Sequence, residues 1–265
     1  MTKTNNNTGK VILAAAGCGD PELITIKAAK YLQLADVILT DRLVSEEILK
    51  AHANPIAEIV YVGKQNNKAA SIPQEDINKL LVKYALQGKL VVRLKGGDIA
   101  FFSNVLDELE TLVLNNIPYE IIPGITAASG ASAYAGIPLT ARGYATSVRF
   151  LTCYKTDIVT AAYWKELAAT DDTLVFYMSS DTLATVVENL VANKIDVAKL
   201  LAVVEQATTP QQNISICNLY EYENKLKEKI FASPTIVIIG KVVALHNKFA
   251  WQQNSEAKEF YFKPI

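Results

Sequence analysis

Two glycines and an aspartate follow a short apolar stretch in the first half of the chain. The stretch Leu90–Leu94 is apolar except for Arg93, and it leads directly into the sequence KGGD, Lys95 to Asp98. Glycine lets the backbone approach a ligand closely, and a carboxylate accepts hydrogen bonds from one. We therefore predict a buried strand of a largely parallel sheet that ends in a ligand-facing turn, with an ordinary strand-to-helix turn as the alternative.

Residues able to do chemistry also follow the other apolar stretches of this part of the chain. Those stretches are Val11–Ala16, Val37–Thr40, Glu58–Val62 and Tyr119–Ile122. The residues at or near their ends and after Leu94 are Cys18, Asp20, Asp41, Arg42, Lys64, Gly96 to Asp98 and Thr126. Because ligands of α/β sheets bind beyond the carboxyl ends of the strands, we predict a ligand-binding edge there. The glycine spacing in GCGD differs from G-x-G-x-x-G, which argues against a nicotinamide site.

Helical patterns alternate with these strands. Helices are predicted from about Leu23 to Leu34, Pro73 to Gln87 and Asn104 to Leu114, with a helix of small residues after Thr126. Such alternation predicts an α/β fold with crossover helices. Later strands are predicted over Val148–Thr152, Thr173–Tyr177, Leu200–Val204 and Thr235–Ile239, with Gln211–Ile216 as a further edge strand. The helices among them are predicted near Tyr163–Ala168, Leu183–Ala192 and Leu219–Ile230.

The alternation lapses around Pro138–Ser147, and we place a boundary between two lobes near Pro123. The predicted organisation is a flexible N-terminal tail over 1–10, an N-terminal α/β lobe over 11–123, a C-terminal α/β lobe over 124–248 and a C-terminal tail over 249–265. The last segment carries Trp251, Phe260, Tyr261 and Phe262 among charged residues. Two alternatives stay open for it, docking on its own chain and docking on a partner subunit.

Composition excludes several classes of function. Half of the 265 residues are apolar and the formal net charge is -1, so neither nucleic acid nor a membrane surface is indicated as a partner. The three cysteines are far apart, which fits a reducing, cytoplasmic compartment. Only two histidines are present, which excludes a histidine-rich metal site, and we predict no metal. The polar N-terminus MTKTNNNTGK has no signal-peptide core, and no apolar run is long enough to span a bilayer.

A series of motifs resembles one known family. In order they are AAAGCGDPELITIKA, ADVILTDRLVSEEIL, YVGK, IPQEDINKLL, VVRLKGGD, IPGITAASGASAYAGIPLT and VFYM. Together they are similar to the uroporphyrinogen-III C-methyltransferases of the tetrapyrrole methylase family, from about Val11 to about Leu245. This agreement over many positions is more specific than any single glycine-rich loop.

The resemblance implies a fold and an activity. The fold would be two αβα lobes with the active site in the cleft between them, S-adenosylmethionine as methyl donor, and a homodimer. The activity would be two methyl transfers to uroporphyrinogen III, giving precorrin-2 for sirohaem or cobalamin. The alternatives are a methylase for another tetrapyrrole precursor and a non-catalytic cofactor-binding paralogue.

The resemblance also assigns residues to roles. The implied cofactor contacts are Cys18, Gly96, Gly97, Asp98, Phe101, Thr126, Ala127, Met178 and Ala207. Asp41 matches the family's proposed general base and Lys64 its proposed general acid. Substrate carboxylates favour cationic partners, since guanidinium binds carboxylate bidentately, and the candidates are Arg42, Lys64, Arg142 and Arg149.

Each assignment has a structural alternative. Asp41 could cap a helix or pair with Arg42, and Thr126 could be an N-cap. Met178 could fill the core, and Cys18 could be a small buried thiol. Three further residues could be solvated surface charges, namely Lys64, Arg142 and Arg149.

The chain departs from the family pattern at several positions. Ile99–Leu106 lacks the proline after Gly-Gly-Asp and the family's Gly-Arg-Gly-Gly segment. Single differences are Cys18 for proline, Gln65 for arginine, Ala141 for histidine, Gly143 for aspartate and Ala207 for glycine. Ala207 fits if its φ is negative. We therefore expect an intact cofactor site and an altered tetrapyrrole trough.

Overall fold

The computed structural model describes residues 8–63, 72–153, 159–257 and 260–262. The chain forms two compact units. The first contains the chain up to Thr126 together with Phe262, and the second runs from Ala127 to Tyr261. Within the described ranges, no helix has the length and apolar character that crossing a bilayer requires.

The first unit is built on a parallel sheet of five strands in the order β3-β2-β4-β1-β5. The strands are β1 (Lys10–Ala15), β2 (Val37–Thr40), β3 (Glu58–Tyr61), β4 (Leu90–Lys95) and β5 (Tyr119–Ile122). Because all pairs are parallel, the five carboxyl ends lie at one edge of the sheet. The predicted parallel sheet is confirmed, and β2 and β3 are neighbours as expected.

Helices cover both faces of this sheet. They are α1 (Ile26–Leu34), α2 (Glu46–His52), α3 (Gln74–Leu86) and α4 (Leu106–Leu114). Alternate residues of β1 enter different cores, since Leu13 packs with Leu81 of α3 whereas Ile12 packs with Leu32 of α1. The first predicted helix begins later than Leu23, because Asp20 caps a 3-10 turn over Pro21–Leu23 and Thr25 then caps α1.

The second unit is built on a mixed sheet of five strands in the order β6-β7-β10-β8-β9. The strands are β6 (Val148–Thr152), β7 (Thr173–Tyr177), β8 (Leu200–Glu205), β9 (Asn213–Asn218) and β10 (Thr235–Gly240). Only the β6–β7 pair of this sheet is parallel. The predicted edge strand is confirmed as β9.

Helices again cover both faces of the second sheet. They are α5 (Ala127–Tyr134), α6 (Ala161–Ala169), α7 (Leu183–Ala192), α8 (Tyr222–Lys225) and α9 (His246–Phe249), with 3-10 turns at Leu219–Glu221 and Lys241–Leu245. Phe176 of β7 packs in the core under α6 and α7, whereas Val175 faces α5. Each unit is thus an αβα sandwich, as expected.

One predicted helix, Leu219–Ile230, is wrong in length, since the α-helix ends at Lys225. Beyond that point Lys229 donates to Glu205 of β8 at 2.9 Å, and Glu205 also accepts the N–H of Ala232 at 2.8 Å. These contacts with a buried carboxylate draw the chain out of helical geometry.

The C-terminal segment lies against the second unit. Trp251 Nε1 donates to the carbonyl of Ala133 at 2.9 Å, and the N–H of Ser255 donates to the carbonyl of Gln212 at 3.0 Å. The side chain of Asn254 forms hydrogen bonds with both the N–H and the carbonyl of Ile214, the second residue of edge strand β9. Of the two alternatives left open by the sequence, the structure shows docking on its own chain.

Candidate active site

Two glycine turns are joined at the carboxyl edge of the first sheet. Gly17, after β1, and Gly97, after β4, exchange backbone hydrogen bonds of 3.1 and 2.7 Å. Both adopt positive φ, 78° and 74°, which favours glycine. A Cβ at Gly97 would meet no atom of the described residues within 4 Å, so this turn borders open space. Its neighbour Gly96 is tightly packed instead, since a Cβ there would lie 2.6 Å from Leu43 Cβ.

Asp98 braces this edge from within. Its side chain is 6% exposed; Oδ1 accepts the N–H of Ala100 at 2.8 Å and Oδ2 accepts the N–H of Gly124 at 2.6 Å. The carboxylate thereby connects the turn after β4 to the turn after β5. Its predicted contact with a cofactor stays a prediction, and the bracing role is one that the sequence did not indicate.

The remaining predicted cofactor residues of the first unit are Cys18, Phe101 and Thr126. Cys18 lies between Gly17 and Gly19 and is partly exposed, so the interpretation of a buried thiol is wrong. Phe101 is 37% exposed, and Thr126 is half-buried at the end of the unit. In the divergent loop after Asp98, Phe102 and Asn104 adopt left-handed φ values of 51° and 53°. Conformations that glycine favours therefore persist in a loop where the family's glycines are missing.

Asp41 follows β2 at the same edge, beside buried charges. Its Oδ2 lies 3.9 Å from Nη2 of Arg93, and its Oδ1 accepts the N–H of Leu43 at 3.0 Å. Arg93 Nε donates to Glu108 at 2.9 Å, and Lys95 Nζ donates to the other oxygen of Glu108 at 3.0 Å. The helix-cap alternative is wrong, because Ser45 caps α2.

Opposing effects act on the Asp41 carboxyl. Burial raises the pKa of Asp41 above its ordinary value, while Arg93, Lys95 and the N–H groups of Leu43 and Gly96 pull that pKa down. The side chain keeps 25% of its surface exposed. A partly buried carboxylate held by cations and N–H groups can accept a proton from a bound ligand.

Three residues of this cluster were missed by the sequence-based assignment. Arg93, Lys95 and Glu108 are each at most 6% exposed. The signal was a single arginine that interrupts an apolar strand, because a buried charge requires a partner.

The cationic candidates of the first unit differ in what can be said of them. Lys64 lies outside the described residues. Arg42 is half-buried, and burial lowers its pKa, while Asp41 opposes that effect. A Cβ at Gly63, after β3, would lie 2.7 Å from the backbone nitrogen of Arg42, so the two strand ends are closely packed.

The second unit carries the other predicted cofactor residues. Ala127 begins α5, whose next N–H, that of Ala128, donates to the hydroxyl of Tyr177 at 3.2 Å. Met178 directly follows β7 with φ 51° and is 54% exposed, so the core-filler alternative is wrong. Ala207 is buried and lies between two left-handed residues, Gln206 and Thr208, without being left-handed itself. An alanine therefore fits there.

The arginines of the second unit are placed differently. Arg149 forms ion pairs with Asp172 at 2.5 Å and Glu166 at 2.6 Å. Arg142 is exposed in the segment between α5 and β6, and no carboxylate of the described residues lies within 4.0 Å of it. Their contacts with substrate stay predictions. Arg149 already pairs with two carboxylates, whereas Arg142 has no such ion pair with the described residues.

Comparison with known proteins identifies relatives over most of the chain. The family profile of the Tetrapyrrole (Corrin/Porphyrin) Methylases matches residues 10–223. A siroheme synthase of Pseudomonas paraeruginosa is 46% identical over 244 residues, which are 92% of this chain and 52% of that protein. The chain thus spans about half the length of the curated relatives it matches.

Solved structures extend the comparison to the fold. A uroporphyrin-III C-methyltransferase from Thermus thermophilus is 31% identical, with a TM-score of 0.76 over 92% of this chain and 98% of that chain. A structure of the Thermus thermophilus enzyme complexed with S-adenyl homocysteine is 35% identical, with a TM-score of 0.72 over 89% of this chain and 100% of that chain.

Proposed function

Since the chain belongs to the tetrapyrrole methylase family, we propose that it transfers two methyl groups from S-adenosylmethionine to carbon atoms of uroporphyrinogen III, giving precorrin-2. The observation that carries the proposal is the placement of Asp41 beside the glycine turns. The N–H of Gly96 acts on the Asp41 carboxyl, and Leu43, two residues after Asp41, packs on Gly96. A proton acceptor and a close-approach backbone turn thus share one sheet edge. The likeness to uroporphyrin-III C-methyltransferases over almost their whole length supports the substrate.

The residues present fit the proposed methyl donor. Gly97 faces open space, and Gly17 holds its backbone in place, so a ligand can contact peptide groups there directly. The remaining proposed contacts in the first unit are Cys18, Gly96, Asp98, Phe101 and Thr126, and those in the second unit are Ala127, Met178 and Ala207. S-adenosylmethionine, when bound, supplies a methyl group on a positively charged sulfur.

The protein's own task is to position groups and to move protons. Holding donor and acceptor carbon in line is the largest contribution that a rigid sheet edge can make. Asp41 takes the proton lost from the methylated carbon, and Lys64 is the proposed acid elsewhere on the ring system. The peripheral carboxylates of the substrate would pair with Arg42, Lys64 and Arg142, whereas Arg149 already holds Asp172 and Glu166.

A second candidate is methylation of another tetrapyrrole precursor. The divergent Ile99–Leu106 loop favours it, because this segment lacks the family's proline, arginine and glycines. If the product is precorrin-2, its use for sirohaem is better supported than its use for cobalamin, since the curated relatives include siroheme synthases. We also propose a homodimer, which sedimentation equilibrium would test.

The test is a methylation assay with enzymatically made uroporphyrinogen III. We expect a product that carries two added methyl groups in the mass spectrum, and its loss in Asp41→Asn. Asp36→Asn is the matched control, because Asp36 accepts the N–H of Leu90 at 2.7 Å at the amino end of the same strands. Methylation of a competing tetrapyrrole alone would favour the second candidate. Binding of S-adenosylhomocysteine without methylation of either substrate would contradict both.

A further inference from the structure

A buried charge cluster lies beneath Asp41. Arg93 and Lys95 are on β4, and Glu108, which is 0% exposed, is on α4. Glu108 binds one cation with each oxygen, and Arg93 Nη1 also donates to the carbonyls of Leu39 and Leu94 at 3.4 and 3.1 Å. The guanidinium is therefore fixed by backbone and side chain at once, and its Nη2 lies 3.9 Å from Oδ2 of Asp41.

The charges of this cluster balance only when Asp41 is included. Arg93 and Lys95 carry two positive charges and Glu108 one negative charge, which leaves a net positive charge in the interior. Asp41, 3.9 Å from Arg93, supplies the remaining negative charge. Arg42, which is adjacent in sequence, also interacts electrostatically with Asp41. Uncompensated charge in an interior is costly, so the positive charge of the cluster favours the ionised form of Asp41 and opposes the effect of burial, which raises the pKa of Asp41.

We propose that Glu108 and Arg93 are positioning residues that set the protonation state of Asp41, with Arg93 favouring the carboxylate and Glu108 limiting that effect. The proposal rests on the proposed function, in which Asp41 is the proton acceptor. A proton acceptor needs a basicity matched to its task. Burial alone would favour the protonated carboxyl, and two nearby cations alone would make the carboxylate too weak a base. Glu108 shares the two cations with Asp41 and thereby keeps the carboxylate basic.

A purely structural ion pair between β4 and α4 would behave differently. It would lower stability when either partner is removed, without moving the titration of Asp41 in a partner-dependent direction. The proposal requires opposite movements, because the two variants change the charge near Asp41 with opposite sign.

The test follows the Asp41 carboxyl by ¹³C NMR titration, assigned by difference from Asp41→Asn. In Arg93→Met we expect the midpoint to move up by about 1 pH unit, and in Glu108→Gln to move down by up to about 1 pH unit. In the double variant the two shifts oppose each other, so the midpoint should lie between those of the single variants. Glu120→Gln is the control, because Glu120 pairs with Lys10 and Lys27 in the same unit.

The acidic limb of the kcat/KM pH profile should follow the same directions. Shifts of equal sign, or no shift in the folded variants, would overturn the proposal. The double variant removes both charges of one ion pair, so we expect it to fold more readily than either single variant. Lys95→Met is expected to move the midpoint of the Asp41 titration in the same direction as Arg93→Met. The NMR titration does not depend on methylation. An inactive protein with opposite shifts would therefore contradict the proposed function and leave the positioning role supported.

Discussion

Asp98 accepts the N–H of Gly124 at 2.6 Å and so ties the turn after β4 to the turn after β5. The second oxygen holds Ala100 at 2.8 Å, and the Gly17–Gly97 pair joins the turn after β1 to the same structure. Three strand ends are thus connected by hydrogen bonds to backbone N–H groups. A connected edge of this kind keeps the peptide groups of these turns in one arrangement, which would lower the ordering cost of binding the proposed cofactor.

The first prediction concerns this brace. Asp98→Ala removes two charge-assisted bonds from a buried position, so we expect the free energy of unfolding to fall by about 1–3 kcal/mol and S-adenosylhomocysteine to bind more weakly. Asp98→Asn keeps one acceptor oxygen and should have the smaller effect on both. Urea unfolding and calorimetric titration measure the two quantities.

Asp36→Asn separates stability from binding in that experiment. Asp36 binds a strand N–H in the same way, but at the opposite edge of the sheet. We expect it to lower stability while leaving the dissociation constant unchanged. Equal loss of affinity in Asp36→Asn and Asp98→Asn would show that the brace has no local role.

The second prediction compares two adjacent glycines. In Gly96→Ala the new Cβ would lie 2.6 Å from Leu43 Cβ, which forces backbone movement and costs about 1–3 kcal/mol. In Gly97→Ala the methyl group enters open space, and only the left-handed φ of 74° opposes it, at about 1–2 kcal/mol. We therefore expect Gly97→Ala to lose more cofactor affinity per unit of stability lost, by calorimetry and urea unfolding.

Local pattern was sufficient to predict the first sheet and the glycine-containing turns at the carboxyl ends of its strands. Strand β4 was predicted over Leu90–Leu94 and runs over Leu90–Lys95, because a buried parallel strand has a continuous apolar sequence. The glycine turn was also predictable, since the strand ends in residues that no core position favours. By contrast, the mixed strand directions of the second sheet follow from long-range pairing that composition does not specify.

Residues that act through distant partners were less predictable. Glu108 reaches Arg93 across 15 positions, and nothing local distinguishes it from the exposed Asp107 beside it. The shortened α8 has the same cause. The pair of Glu221 and Lys225 favours a helix, and the contact of Lys229 with Glu205 then ends it. Tertiary contacts override local propensity in both cases.

The third prediction concerns Met178. Its φ of 51° is unfavourable for a side chain, and 54% of its surface is exposed. In Met178→Gly the relief of strain offsets the greater entropy of the unfolded chain, so we expect a change in stability below about 1 kcal/mol. Affinity for S-adenosylhomocysteine should fall. Unchanged affinity would mean that Met178 does not contact the cofactor.

The fourth prediction concerns acid stability. The hydroxyl of Ser147 and the guanidinium of Arg149 lower the pKa of Asp172 to about 2. A carboxyl whose pKa is lower in the folded state contributes stability above its ordinary value of about 3.9, and that contribution is lost as the pH falls toward 2. Asp172→Asn should therefore be less stable than the native chain at pH 7, with the difference vanishing near pH 2.

Glu120→Gln gives a parallel test in the first unit. Lys10, Lys27 and Tyr31 lower the pKa of Glu120 to about 2, so its contribution to stability is present above the ordinary value of 4.5 and is lost as the pH falls toward 2. Thermal unfolding at a series of pH values should show that the stability difference between each variant and the native chain narrows as the pH falls toward 2. A difference for Asp172→Asn that is constant with pH would contradict the assignment of its lowered pKa to Ser147 and Arg149.

The fifth prediction concerns the C-terminal segment. Asn254 Oδ1 accepts the N–H of Ile214 at 2.7 Å, and Asn254 Nδ2 donates to the carbonyl of Ile214 at 3.0 Å. One side chain thus satisfies both groups of an edge-strand residue, as a neighbouring strand would. Asn254→Ala should cost about 1–2 kcal/mol and accelerate hydrogen exchange at Ile214 and Ser255. Asn254→Asp keeps the acceptor and loses the donor. It should still protect the Ile214 amide from exchange, and its stability should lie between those of the native chain and Asn254→Ala. Exchange at Ile214 that is unchanged in Asn254→Ala would show that water replaces the side chain without cost, and that other contacts such as those of Trp251 and Ser255 anchor the segment.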